Sequence, residues 1–436
     1  MLIKKKISLT LQKVSIVLLV LTLCISTLSL SIPSAFIENK TSTINNNDQK
    51  ITQILNIIDE DLVFEYLKTL VGFGPRMTGT YGCEKAAEYI YDQFIGMGLD
   101  TQFHDWAAWG NRRYPHFYES QNIIATHPGE DPNSATIIFN AHYDTVTNSP
   151  GANDDGSGTA AVLAAAYALS QFEFQQTIKF ITFSGEEIAL LGSRAYAKES
   201  YQKNDRILVQ INADMIGYDE GSKKMRVTAS EDVVWVSDIF KIISETYPIG
   251  LNVTQGRINR IQHGLRGSDY ASFLLYGYEC IACWQVDWDG NMHTPQDDIT
   301  NVNMSYLVNT TRLIAATLAH LADTTEYPPQ VRITSPQIGF FYRDGIQKRE
   351  IGEYKTMVLN DIWIWAEVDY VSAPLLRAEF YYNGRLVHVD TEEPFKWHFN
   401  KRALGNKEIE VIVYDILGRN TTDWREIFFI NLFPRI

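Results

Sequence analysis

The stretch ATIIFNAHYD, residues 135–144, begins as a run of apolar and β-branched residues and ends in a histidine and an aspartate. A continuous apolar run of this kind is typical of a strand that is buried on both faces of a parallel sheet. A glycine-rich turn, GANDDGSG at 151–158, leads into the strongly helix-forming segment 159–169, and a second apolar run, TIKFITF, follows at 177–183. This order of strand, helix and strand predicts an α/β fold.

Similar alternation of strand-like and helix-like segments continues to residue 322. It predicts a domain at 53–326 with a mostly parallel sheet covered by helices on both faces. After Tyr327-Pro328-Pro329-Gln330 the pattern changes to short runs with a period of two residues, and Asn383-Gly384 is a strong hairpin-turn signal. We therefore expect a small all-β sandwich at 327–436.

The amino-terminal segment indicates export. Lysines at 4–6 precede an apolar run from Val14 to Ile37 that is long enough to span a bilayer, which predicts a signal peptide or membrane anchor at 1–37. Basic residues stay on the cytoplasmic side, so the rest of the chain is expected to be extracytoplasmic, either secreted or membrane-anchored. Residues 38–52 are polar and are expected to form a linker. Whether the segment is cleaved is left open, and the membrane is a partner only if it is not.

Histidine and carboxylate side chains recur where strands are expected to end, and open α/β sheets build their sites at those ends. The candidates are His142, Asp154 with Asp155, Glu186 with Glu187, Asp214 and His293. Imidazole and carboxylate ligands without thiolate suit a catalytic zinc site better than a structural one. Two such ions about 3.5–4 Å apart can share a carboxylate and a water, and the chemistry implied is hydrolysis.

Local spacing suggests different tasks for neighbouring residues. His142 and Asp144 are two residues apart on an extended backbone, so the carboxylate can orient the imidazole. Asp154 and Asp155 precede a helix, where one of them can act only as a cap. Glu186 and Glu187 point in different directions, so one can bind metal while the other serves as a general base.

Taken together, these motifs resemble the co-catalytic di-zinc aminopeptidases, the family of bacterial leucyl aminopeptidase and aminopeptidase Y, to which glutaminyl cyclases are related. The likeness spans residues 55–325 and includes Gly267-Ser268-Asp269-Tyr270 and His293-Thr294-Pro295-Gln296-Asp297. It implies two Zn²⁺ per chain, with Asp154 as the bridging carboxylate, His142 and Asp214 on one ion, and Glu187 and His293 on the other. It also implies that Glu186 is the general base, that Asp144 orients His142, and that Asp155 is not a ligand. Asn153 replaces an aspartate of some relatives at no cost to the ligand set.

The activity implied is that of an exported zinc aminopeptidase, which hydrolyses the first peptide bond of substrates with a free amino terminus through a metal-bridged water. A glutaminyl-cyclase-like acyltransferase with one zinc, a carboxypeptidase of the same family and a metal-free binding relative are the alternatives. The formal charge of −14 argues against nucleic acid as a partner.

Three features are left open. The oxyanion donor is uncertain, with Tyr270, Arg266 and His263 as candidates. Cys280 and Cys283 fit structural cysteines or one local disulfide better than redox chemistry, and Trp284 and Trp288 fit a substrate pocket about as well as core packing. The β-rich region resembles immunoglobulin-like modules, on the residues at 378–384, 394–397 and 414–420. A structural role is favoured for this region, and a cell-surface polymer is the alternative partner.

Overall fold

The structure is a computed structural model that describes residues 48–110, 112–131, 134–258, 267–352, 355–370 and 372–434. The expected signal peptide or anchor at 1–37 lies outside the described residues. Residues 48–57 are helical, so the expected linker overlaps this first helix, α1, whose Ile51 and Ile54 are buried. Among the residues that the structure describes, no helix combines the length and the apolar character needed to cross a membrane.

Helices and strands alternate through the first three quarters of the chain. The later helices are α2 Glu60–Gly72, α3 Tyr81–Gly96, α4 Gly156–Leu169, α5 Leu191–Lys203, α6 Val234–Thr246, α7 Tyr270–Leu275 and α8 Met304–Asp323. The strands are β1 Asp100–Trp109, β2 Phe117–His127, β3 Thr136–His142, β4 Thr177–Phe183, β5 Ile207–Ala213, β6 Lys224–Ala229, β7 Asn252–Arg257 and β8 Cys280–Gln285.

These eight strands form one mixed sheet in the order β1-β2-β4-β3-β5-β8-β6-β7. Its centre, β4-β3-β5-β8, is parallel throughout. The flanks contain antiparallel pairs, since β2 runs against β1 and β4, and β6 runs against β8. The expected α/β sheet is therefore confirmed, and the parallel centre brings the carboxyl ends of four strands to one edge.

Helices cover the sheet on both faces and create two separate apolar cores. The alanine-rich α4 lies in the larger core and buries every residue except Tyr167, because methyl-sized side chains let it approach the sheet closely. Cys280 belongs to the smaller core and Cys283 to the larger one, as a spacing of three residues along a strand requires. Both are buried free thiols, so the local disulfide does not form.

The carboxyl-terminal region is all β. Its strands are β9 Gln330–Ser335, β10 Phe340–Arg343, β11 Ile346–Glu350, β12 Thr356–Leu359, β13 Ile362–Tyr370, β14 Leu375–Tyr382, β15 Arg385–Asp390, β16 Phe395–Phe399, β17 Ala403–Asp415 and β18 Asn420–Asn431. They form a seven-stranded sheet, β11-β10-β12-β18-β17-β14-β15, and a three-stranded sheet, β16-β13-β9. Apolar side chains from both sheets share one core, as in a sandwich.

Buried polar contacts join this β region to the α/β sheet. The Arg332 guanidinium makes a two-pronged ion pair with Asp369 and donates a 3.3 Å hydrogen bond to the Tyr278 hydroxyl. At a second point, the Thr422 amide donates to Asp232, which follows β6, at 2.6 Å. Arg332 on β9 and Asp369 on β13 both belong to the β region, so their bidentate pair fixes the guanidinium that contacts Tyr278. The hydrogen bonds to Tyr278 and Asp232 are the contacts that connect the two regions.

We predict that Asp369→Ala destabilises the chain by about 3–5 kcal/mol, because Arg332 would remain buried without its counter-charge. Denaturant unfolding should show the midpoint moving to lower concentration. Glu65→Ala is the control, since it removes the partner of the solvent-exposed Lys68 and should change stability by at most about 1 kcal/mol. Equal midpoints for Asp369→Ala and the unmodified chain would rule out a stabilising role for the pair.

Candidate metal centre

Asp154 lies between two histidines that come from distant parts of the chain. Its Oδ1 is 3.3 Å from Nε2 of His142, at the end of β3, and its Oδ2 is 3.0 Å from Nε2 of His293, in the loop after β8. The carboxylate is buried, whereas the His293 side chain is 42% exposed. The two oxygens therefore face two different imidazoles, as a bridging ligand requires.

One further carboxylate accompanies each histidine. Asp214, directly after β5, has its Oδ1 3.9 Å from Nε2 of His142. Glu187, after β4, has its Oε2 3.1 Å from Nε2 of His293. The five ligands predicted from the sequence thus lie together as two groups that share Asp154.

Asp155 is close to the same centre, and one of its carboxylate oxygens lies within 4.8 Å of ligand atoms of His142 and Asp214. Both oxygens already accept backbone hydrogen bonds. Oδ1 accepts from the amides of Gly158 at 2.9 Å and Met215 at 3.2 Å, and Oδ2 accepts from the amide of His142 at 3.3 Å. Asp155 is the N-cap of α4 and ties three ligand-bearing segments together.

His142 is oriented by Asp144, chiefly through its main chain. The Asp144 carbonyl oxygen is 3.1 Å from Nδ1 of His142, while the carboxylate oxygen Oδ1 is 3.6 Å away. That carboxylate instead accepts from the Glu186 amide at 3.2 Å and from the Thr78 hydroxyl at 3.0 Å. The sequence-based expectation named the carboxylate as the orienting group, whereas the structure gives that contact to the carbonyl and uses the carboxylate to hold the Glu186 turn.

Glu186 is partly buried beside the ligand group. Burial raises its pKa well above the ordinary value for glutamate, and the negative charges of Asp214, Asp269 and Glu187 raise it further, against a lowering by His142. A carboxylate with a raised pKa can both accept and return a proton near neutral pH. Asp269, which is fully buried, has its pKa raised to about 7 by burial.

The two imidazoles occupy positions that favour positive charge. Burial alone would lower the pKa of His142, but Glu186, Asp144, Asp154 and Asp214 raise it well above its ordinary value. Hydrogen bonds with Asp154 and Glu187 raise the pKa of His293 to about 10. Carboxylates packed this densely need a compensating cation, which a proton or a metal ion can supply.

The donor set fits a divalent metal. Oε1 of Glu187 is buried and has no hydrogen-bond partner among the described residues, although burial of a bare carboxylate oxygen is costly. Imidazole nitrogen and carboxylate oxygen are ligands that zinc accepts. This oxygen of Glu187 can therefore bind zinc without breaking a hydrogen bond to a described residue.

The loop that carries Asp154 is held by hydrogen bonds to Asp297, a residue to which sequence analysis gave no role. Its carboxylate accepts from the amides of Asn153 at 2.7 Å and Asp154 at 3.1 Å, and its carbonyl accepts from the amide of Ala152 at 3.1 Å. Because Asp297 lies four residues after His293, one short segment supplies a candidate ligand and also positions the bridging carboxylate. Its place in the His293–Asp297 motif was the available signal.

Arg76 holds the other end of the same loop and was likewise assigned no role. Its fully buried guanidinium donates to the carbonyls of Tyr143 at 2.8 Å, Pro150 at 2.6 Å and Gly151 at 2.9 Å. A Cβ at Gly151, where φ is +63°, would lie 2.2 Å from the Thr145 side chain. The loop between His142 and Asp154 is therefore packed tightly against its own support.

The structure bears on two features that the sequence left open, the oxyanion donor and the role of Trp284 and Trp288. Of the three candidate oxyanion donors, His263 and Arg266 lie outside the described residues, and Tyr270 is buried beside Gly267. Trp288 is 74% exposed, which excludes core packing for it, whereas Trp284 packs partly buried against Tyr270. Both tryptophans line a cavity next to the candidate ligands.

Comparisons with known proteins relate this chain to peptidases. Residues 122–318 match the sequence model of peptidase family M28. Leucine aminopeptidase 1 of Sclerotinia sclerotiorum is 27% identical over 295 residues, which cover 62% of this chain and 73% of that protein.

Among solved structures, the LapA aminopeptidase of Legionella pneumophila has a TM-score of 0.56 at 22% identity, covering 64% of this chain and 75% of its own. A glutaminyl cyclase of Fimbriiglobus ruber has a TM-score of 0.51 at 16% identity, covering 60% of this chain and 95% of its own. Both structures share the fold of this chain.

Asn153 tests how the bridging loop is held. Its side-chain amide donates to Asp289 at 2.8 Å, and its carbonyl oxygen accepts from the Gly217 amide at 3.0 Å. We predict that Asn153→Asp lowers stability by about 3 kcal/mol and reduces zinc retention, because two buried carboxylates would then face each other.

The double variant Asn153→Asp/Asp289→Asn restores one amide opposite one carboxylate and should recover much of both losses. Thermal unfolding and zinc content after dialysis measure the two effects. Normal zinc retention and an unchanged unfolding midpoint in the single variant would show that this contact does not hold the loop.

Proposed function

We propose that this chain, whose residues 122–318 match the sequence model of peptidase family M28, is an exported aminopeptidase that uses two zinc ions and releases the first residue of peptides. The observation that carries the proposal is the position of Asp154, whose two oxygens lie 3.3 Å and 3.0 Å from two different imidazoles. A single-ion site would need only one of these contacts.

The ligands divide into two sets in this proposal. His142 and Asp214 hold one ion, Glu187 and His293 hold the other, and Asp154 is shared. Zinc bound there would polarise the scissile carbonyl and lower the pKa of water toward about 7. The protein confines the ligands by burying three of them, His142, Asp154 and Asp214, and by fixing Asp154 through Asp297.

Glu186 acts as the general base. Its amide is tethered to Asp144 at 3.2 Å, so the side chain is held beside the ligands without being spent on them. Its raised pKa suits a group that takes a proton from the attacking water and passes it to the departing amine. Asp144 is then a positioning residue for both His142 and Glu186.

Extracytoplasmic location is supported by the sequence of the amino-terminal segment. Lysines at 4–6 and the apolar run 14–37 suit a signal peptide or an anchor whose basic end stays inside the cell. For the carboxyl-terminal β region we propose an immunoglobulin-like module with a structural role, because its Arg332 and Thr422 donate hydrogen bonds to Tyr278 and Asp232 of the α/β domain. A cell-surface polymer that binds this module is the alternative partner.

Metal analysis tests the two-ion proposal directly. We predict two zinc ions per chain after purification and loss of aminoacyl-anilide hydrolysis in the presence of a chelator, with recovery on adding zinc. The same preparation should be offered a peptide with amino-terminal glutamine. One zinc per chain with pyroglutamate formation would identify a cyclase instead, and release of carboxyl-terminal residues would identify a carboxypeptidase.

Adjacent glutamates provide a matched test of the mechanism. We predict that Glu186→Gln lowers kcat by about 10²–10⁴ while both zinc ions remain bound, because only the proton acceptor is lost. Glu187→Gln should instead weaken zinc binding, since it replaces a ligand. Zinc content by elemental analysis and anilide hydrolysis separate the two outcomes. Unchanged turnover in Glu186→Gln would remove it from the mechanism.

A further inference from the structure

A cavity of about 460 Å³ opens beside the candidate ligands. Met215 and Met292 contribute to its lining, and each is next in sequence to a ligand, Asp214 and His293 respectively. A peptide with its amino terminus at the metal centre would therefore place a neighbouring side chain in this cavity. Its volume suits a single amino-acid side chain better than a folded partner.

The floor of the cavity is aromatic and cationic. Arg226 on β6 lies directly opposite Trp284 on β8 in the antiparallel register, so both side chains project from the same face of the sheet. Tyr270 meets Trp284 edge to face, with ring centroids 6.2 Å apart. Arg257, at the end of β7, also lines the cavity.

The two aspartates in the lining are already engaged. Asp289 is fully buried and accepts from Asn153, Asn291 and Asn301. Asp287 accepts from the amide of Glu220 at 2.9 Å, and this contact lowers its pKa. Neither carboxylate is paired with an arginine in the part of the chain that the structure describes.

The arginines are the opposite case. Both Arg226 and Arg257 are exposed, and neither guanidinium has a hydrogen bond or ion pair with another described residue. A guanidinium offers five N–H donors in a fork that matches a carboxylate. Donors that remain free in a concave aromatic site are available to a ligand.

Resting on the aminopeptidase function proposed above, we infer that this cavity selects substrates whose amino-terminal residue is acidic, glutamate in particular. The glutamate stem packs on Trp284 and Tyr270, and its carboxylate binds the Arg226 guanidinium, with Arg257 adding positive charge at the rim. Glutamine has nearly the same shape but no charge, so discrimination between the two reports the arginine contact alone.

The test compares zinc-loaded full-length enzyme on glutamyl-, glutaminyl- and leucyl-anilides. We expect kcat/KM for the glutamyl substrate to exceed that for the glutaminyl substrate by about tenfold or more, as a charge-assisted hydrogen bond would give. Arg226→Gln should bring this ratio close to one, and Arg226→Glu should invert it and increase turnover of lysyl-anilide. Arg343→Gln, an exposed arginine in the β region, is the control and should keep the original ratio.

Each result has a distinct reading. Hydrolysis of leucyl-anilide with no preference for glutamyl over glutaminyl substrate overturns the inference and leaves the aminopeptidase function standing. A glutamyl preference that survives Arg226→Gln and Arg257→Gln together also overturns it. Failure to hydrolyse any of the anilides, with both zinc ions bound, would overturn the proposed function and this inference with it.

Discussion

The geometry of the site depends on how the Asp154 carboxylate is held between two imidazoles. The loop that carries it is supported at both ends by side chains from elsewhere, with Asp297 accepting two of its amides and Arg76 donating to its carbonyls at 150 and 151. Neither support has to touch an ion. Together they fix the backbone on either side of the bridging position, so Asp154 needs no conformational search to face both histidines.

Placing so many carboxylates together has an electrostatic cost, and the fold distributes it. Asp155, Asp289 and Asp297 are satisfied by amide N–H groups of the main chain or of asparagine, so their charge is spent on structure. Asp154 and Glu187 point toward imidazoles, and one oxygen of Glu187 has no hydrogen-bond partner among the described residues. The site therefore separates carboxylates that build the scaffold from carboxylates that await a cation.

Sequence reasoning could predict four of the ligand positions because each ends or follows a strand or precedes a helix, and parallel strands end at one edge. His293, in the loop after β8, was assigned by the family resemblance. Local pattern showed only that one of Asp154 and Asp155 can cap the helix, and the family resemblance identified Asp155 as the residue that is not a ligand. Arg76, Asp289 and Asp297 could not be given roles in this way. Their partners are distant in the chain, as for Asn153 and Asp297, which are 144 residues apart, and a contact of that separation leaves no periodic signal. The Asp144 contact was assigned to the carboxylate because spacing shows which residues share a face and not which oxygen is nearer.

Sheet topology also places the candidate metal ligands and Arg226, the residue proposed to select the substrate, at different strands. All ligands but His293 follow β3, β4 and β5 or open α4, whereas Arg226 lies on β6, which runs antiparallel to β8 and supplies no ligand. Trp284 lies on β8, and the chain runs directly from β8 to the loop that carries His293. Arg226 lies on β6, which itself carries no ligand. A substitution at Arg226 can thus change which side chain is accepted while the supports of Asp154 stay in place. The register between β6 and β8 is what puts that charge opposite an aromatic ring and within the cavity.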